Sequence, residues 1–251
     1  MGLPKSESPE HFLGTTQLLD LQDSRLRLRA HALTQLCKTD GEKAIALYRY
    51  VKKIQFERTL TLRPRTARGV MDAGRGDGAE KSLLLVALLR GVAIPARIRL
   101  IELRGEVLRG LNTSATSMVR PCVEIWLHGR WVRTDTHIFD VGYMVSARQR
   151  LKDEGWEWGY GIHRNGQSMW NGVDDAFLGA YPTDQDPMVI RSLGVCHDGH
   201  HRNQAGKLPQ RVLAWMRTLR SHLLTLTSRR AVRGLRQEEP AGAGSQPRRP
   251  S

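Results

Sequence analysis

The sequence predicts an α+β fold in which a central buried helix packs on an antiparallel β-sheet and a basic helix follows at the C-terminal end. Three observations carry this. Residues 83–89 are seven apolar residues without a break, the pattern of a helix buried on all sides rather than one with a wet face. Helical patterns come first and alternating ones second, a segregation that argues against repeated βαβ units. Residues 119–127 and 130–135 are joined by His128-Gly129, whose glycine suits a tight two-residue hairpin.

Residues 1–24 are polar with scattered Phe12, Leu13, Leu18, Leu19 and Leu21, and are expected to form an arm with one docked turn. A short helix is expected over 26–37. Thr39 with Glu42 makes a capping box opening a helix over 41–54, with Ala44, Leu47, Val51 and Ile54 facing inward. Pro64 ends any extended stretch, and 66–71 make a helical turn before the glycine-rich loop. Asp77 is placed as an N-cap with Glu80 three positions on, so the central helix starts near Gly78. Ile94-Pro95 breaks it, 96–103 alternate as a strand, 104–106 turn and 109–117 form a loop.

A helix is expected over 141–153, followed by a Gly- and Trp-rich segment at 155–175. Such a segment suits a lid, but the reading adopted is that Trp156, Trp158 and Trp170 pack against the sheet. Residues 207–236 read as a basic amphipathic helix or helix pair, with Val212, Trp215, Leu219, Leu223 and Leu226 on one stripe. The expected organisation is an arm at 1–24, one domain at 25–200, a basic helical segment at 201–236 and a disordered tail at 237–251.

Composition narrows the function classes. The 251 residues are 40% hydrophobic, enough for a proper core, and carry a formal charge of +14. From Arg202 onward eleven Lys/Arg stand against two Glu, so +9 of that charge lies in the tail and the rest is only mildly basic. Three cysteines, Cys37, Cys122 and Cys196, argue against a disulfide framework and for a reducing compartment. No apolar run is long enough to cross a bilayer and no signal segment is evident, so a cytoplasmic protein is expected. Gly2 with Ser6 fits the myristoylation pattern, and Asn112 to Ser114 a glycosylation sequon; both patterns are too short to carry weight. Nothing calls for a cofactor. Cys196, His197, His200 and His201 match no standard zinc spacing and are read as surface, so no metal is expected.

Two stretches, GRGDGAEKSLLLVALLRGVAIPAR at 74–97 and RPCVEIWLHGRWVRTD at 120–135, together resemble the transglutaminase-like superfamily, which shares a papain-like fold. The resemblance covers roughly residues 40–140. It implies a cysteine at a helix N-terminus, where the helix dipole makes the thiol acidic, a histidine base on a neighbouring strand and an aspartate that orients it. On this sequence the cysteine position is Gly78, the histidine position Arg120 and the aspartate position Asp135. Glycine has no side chain to attack with, and arginine cannot serve as a base near neutral pH. In this register family-type covalent catalysis is excluded, and no triad is intact.

Two expectations follow for the vacated site. The helix N-terminus, bare of a side chain at Gly78, together with Arg75, Asp77, Arg120 and Asp135, is a candidate ligand site for a small anion. Alternatively Arg120 pairs with Asp135 and replaces the former His–Asp contact with a salt bridge. A relocated Cys122–His137 pair is set against Cys122 as a small buried hydrophobe. The function expected is a catalytically inactive transglutaminase-like protein that binds or scaffolds a protein or a small anionic ligand. The competing readings are a hydrolase or acyltransferase that is cysteine-independent or uses a relocated nucleophile, and a nucleic-acid binder acting through the basic tail.

Overall fold

The computed structural model describes residues 8–57, 65–111, 115–135, 138–176, 181, 185–197, 231–232 and 234–235. The chain opens with a short 3-10 turn, Pro9–Phe12, then α1 (Ser24–Thr34) and α2 (Asp40–Lys53). Strand β1 (Gln55–Phe56), helix α3 (Ala67–Ala73), strand β2 (Arg75–Gly76) and the central helix α4 (Gly78–Gly91) follow. Then come β3 (Ala96–Arg104), β4 (Ser117–Leu127), β5 (Arg130–Arg133), α5 (Val141–Asp153), a small hairpin of β6 (Trp158–Gly159) and β7 (Ile162–His163), and β8 (Val189–Cys196).

The capping chemistry read from sequence sets the helix starts. Thr39 accepts from the Glu42 N–H while the Glu42 carboxylate takes the Thr39 N–H, and Asp77 with Glu80 repeats the arrangement at α4. From Glu80 to Arg90 every residue of α4 is buried. Each of its leucines contributes about 1.5–3 kcal/mol by burial, so this one helix organises the first core. Arg90 ends it: the guanidinium donates to the Ala96 and Gly14 carbonyls, tying helix, β3 and the N-terminal arm together.

The main sheet is antiparallel throughout, in the order β5-β4-β3-β8. His128 and Gly129 both take positive φ, 53° and 76°, as a two-residue turn between twisted strands requires. Alternation along β3 and β4 divides the side chains between two cores. Ala96, Ile98, Val123 and Ile125 join α1, α2 and α4 in the first, whereas Ile101, Leu103 and Cys122 join α5 and the β6–β7 hairpin in the second. The sheet is thus covered on both faces.

Strand β8 was not foreseen; its two register shifts against β3 blur the period-two pattern that reveals a strand. The arm is docked through Phe12 and Leu19, both buried. The tryptophan-rich segment packs, as read: Trp170 is buried in the first core and Trp158 in the second. Of the expected basic helix at 207–236, only Ala231, Val232, Gly234 and Leu235 are described. They are helical, and Val232 and Leu235 are buried in the second core. The rest of that helix, the tail, residues 1–7, the sequon, His137, His200 and His201 lie outside the described residues. Among the described residues, no helix is long and apolar enough to cross a membrane.

Candidate functional site

Gly78 is the first residue of α4 and is buried. Next to it the cap takes up the backbone donors of Asp77, Ala79 and Glu80. The Asp77 Oδ1 accepts from the N–H groups of Ala79 and Glu80, 3.0 Å each, and Glu80 returns the bond by accepting from the Asp77 N–H. Arg65 then grips Glu80 with its Nε and Nη2, at 2.7 and 2.6 Å, and reaches the Arg75 carbonyl. Two carboxylates and a guanidinium therefore already occupy the positive pole of the helix. Arg75 turns outward to Glu57, 3.5 Å away.

Arg120 lies on the face of β4 opposite to Val123 and Ile125, the residues that meet α4. Strand parity sends it into the second core. Its Nη1 donates to the Gly161 carbonyl at 2.7 Å, its Nε lies 3.3 Å from the Met118 Sδ, and its head sits over the Phe139 ring. Phe139 packs in turn on Phe56 and Tyr143. Nearby Asp186 is buried; burial pushes its carboxyl above the usual range, against the Met188 N–H and the charges of His163 and Arg120. His163 is fixed at both ring nitrogens, Nδ1 by the Asn165 N–H and Nε2 by Glu157, 3.0 Å each.

Asp135 does not pair with Arg120. Its Oδ2 is held at 2.6 Å by the Nζ of Lys52, which is 1% exposed at the end of α2. The other oxygen, Oδ1, is buried without a hydrogen-bond partner. Tyr48, one turn before Lys52, completes the group: burial, then the Asp135 charge, raises its hydroxyl far above the ordinary range. That hydroxyl accepts the Trp170 N–H at 3.2 Å, and the two rings meet edge to face. The salt bridge expected at Asp135 therefore exists with a different cation. A helix on the α4 side supplies it because Arg120 points to the other side of the sheet.

Lys52 was missed in the sequence. The signal that marks it is its place on the stripe Ala44, Tyr48, Lys52, four residues apart on a buried face, where a lysine requires a buried acid. Lys81, also fully buried, donates to the Ile54 carbonyl.

Among the described residues the remaining candidates do not assemble a nucleophile, and His137, the partner expected for Cys122, lies outside them. Cys122 is fully buried, donates to the Thr134 carbonyl at 3.3 Å, and burial pushes its thiol well above the usual range. It is the small buried hydrophobe anticipated. Cys196 donates to the Ile98 carbonyl and His197 stacks on Phe12. Among the described residues, no three His, Cys, Asp or Glu side chains stand close enough to hold a metal ion. Glu124, 1% exposed, gathers Arg97, Arg99 and Arg133 around one carboxylate. Burial pushes it up, but Arg99 and Arg97 more than offset this and hold it below the usual carboxylate range.

No curated protein sequence matches the chain. A candidate cysteine protease from Cytophaga hutchinsonii is similar in structure with a TM-score of 0.43 and 17% identity, over 52% of this chain and 42% of that one. A candidate protease from Parabacteroides distasonis gives 0.36 and 17%, over 50% of this chain and 25% of the other. The chain thus spans less than half the length of either. The family model of the transglutaminase-like superfamily matches residues 27–136, a segment that contains Gly78, Arg120 and Asp135. Residues 27–136, from α1 to the acid that follows β5, are a transglutaminase-like domain.

Proposed function

We propose that this transglutaminase-like protein has no family-type covalent catalysis and serves as a binding or scaffolding module. The observation that carries the reading is the triad acid: Asp135 is clamped by Lys52 and roofed by Tyr48 and Trp170, and it orients no histidine among the described residues. Gly78 at the nucleophile position and Arg120 in the second core support the same conclusion. A buried ion pair in place of a reactive dyad keeps the two halves of the domain in register without chemistry.

A small anion at the start of α4 is less favoured than a protein partner, because Asp77 and Glu80 already claim the donors there and would repel it. The test is turnover of a panel of peptide amides and esters, with and without a primary amine acceptor. No product above the buffer rate is expected, and pre-treatment with a thiol alkylator changes nothing. Turnover abolished by Cys122→Ala would instead establish the relocated-nucleophile hydrolase or acyltransferase. The reading of the tail as a nucleic-acid binder predicts affinity that is lost on truncation at Gly206.

A further inference from the structure

The outer face of α1 plays no part in the Gly78 region. Its inner arc is ordinary core, with Leu26, Ala30 and Thr34 buried. At 3.6 residues per turn the opposite arc presents, in angular order, Arg27, His31, Leu28, Ala32, Arg25 and Arg29, all exposed. Leu28 is 68% exposed and Leu36, just past the helix, 89%, the two highest values for large apolar side chains among the described residues. An apolar strip therefore runs along the outer face with arginine on each side, Arg27 beside His31 on one flank and Arg25 and Arg29 on the other.

The helix contains no acid at all. The carboxylate before it, Asp23, is taken up by its N-cap bond to Leu26 and by both contacts with Arg68. Asp40, beyond Leu36, pairs with Lys43. Among the described residues the positive field of α1 is thus left without an ion pair on its own surface. An acidic protein would answer the arginines but leave the leucines in water, and an apolar partner would bury guanidinium groups unpaired at high cost. Anionic headgroups over acyl chains satisfy both, because arginine stems lie along the apolar layer while their heads stay at the charged level.

We infer that the outer face of α1, continued by Leu36, seats on an anionic lipid bilayer, with the leucines at the acyl boundary and the arginines among the headgroups. Attachment is peripheral, since the helix is only 11 residues long, and it weakens with salt as surface electrostatics are screened.

The experiment is co-sedimentation of the full chain with vesicles of phosphatidylcholine alone and of phosphatidylcholine with phosphatidylserine, at low and raised salt. The protein is expected to pellet only with the anionic vesicles and to be released by salt. The triple variant Arg25→Gln, Arg27→Gln, Arg29→Gln lowers partitioning about a hundredfold, taking about 1 kcal/mol per arginine. Leu28→Glu also lowers it and, because Leu28 is exposed, keeps the thermal midpoint; the triple variant stays folded and forfeits only the contact of Arg29 over the Tyr50 ring. Binding to neither vesicle, or equally to both, overturns the inference. So does binding unchanged in the triple variant, which would assign the affinity to the basic residues after Arg202. Binding lost with the arginines but unaffected by Leu28→Glu overturns the seated geometry. Affinity for polyglutamate without affinity for vesicles points to an acidic protein instead.

Discussion

Lys52 and Asp135 show most clearly what a buried aspartate requires. An aspartate left alone in a core is costly, and the chain retains it only because an ammonium from α2 stands 2.6 Å away. Lys52→Met removes the cation and leaves the carboxylate uncompensated, so urea unfolding should show a loss of about 3–5 kcal/mol. Adding Asp135→Leu should recover most of that loss, since an apolar pair of similar volume avoids the desolvation of both charges. A single variant as stable as the parent would mean that the pair does not hold α2 to the end of β5. The same logic applies to the thiols. Cys122 is fully buried with its thiol raised, whereas Cys37 is partly exposed; a disulfide reagent should label Cys37 in the native protein and Cys122 only after unfolding.

At the scale of elements, α4 was the most legible part of the chain and β8 the least. An unbroken apolar run and an Asp-x-x-Glu cap are local signals, and both match the observed Gly78–Gly91 helix. The cap also holds more than its own turn, because Glu80 anchors Arg65. Asp77→Ala should therefore cost at least the usual 1 kcal/mol or so of a lost N-cap, measured as a lowered midpoint of thermal unfolding. Asp77→Asn, which keeps an acceptor for the Ala79 and Glu80 N–H groups, should lose much less. Gly105 illustrates a constraint no local pattern carries: a Cβ there would stand 1.7 Å from the Ala115 carbonyl oxygen, so the turn after β3 closes only on glycine.

At the scale of the whole molecule, one antiparallel sheet is shared between two cores, and this division decides what the candidate site can be. The transglutaminase-like segment supplies most of α1, all of α2 to α4 and most of the first core; β8 adds a strand to the sheet, and α5 and the β6–β7 hairpin pack on the other face. Arg120 belongs to the second core and Asp135 to the rim of the first. Positions that the family pattern places together are therefore engaged separately, Arg120 with Gly161 and Phe139, Asp135 with Lys52 and Tyr48. The N-terminal arm adds a further tie, Phe12 lying against Trp131, His197 and the Arg97 guanidinium.

By itself the sequence determined the fold class, the central helix with its cap, the His128-Gly129 hairpin and the absence of a thiol or imidazole at positions 78 and 120. These are local quantities: side-chain chemistry at a known place in a pattern, and periodicities of 3.6 and 2 that need no knowledge of neighbours. Only the tertiary structure decided which cation meets Asp135, that Arg65 grips Glu80 at the α4 terminus, and that β8 joins β3. Each of those rests on a contact between residues up to 98 positions apart, as between Ile98 and Cys196. Such contacts depend on which face of the sheet a strand turns toward α4, and a one-residue change of parity reverses them.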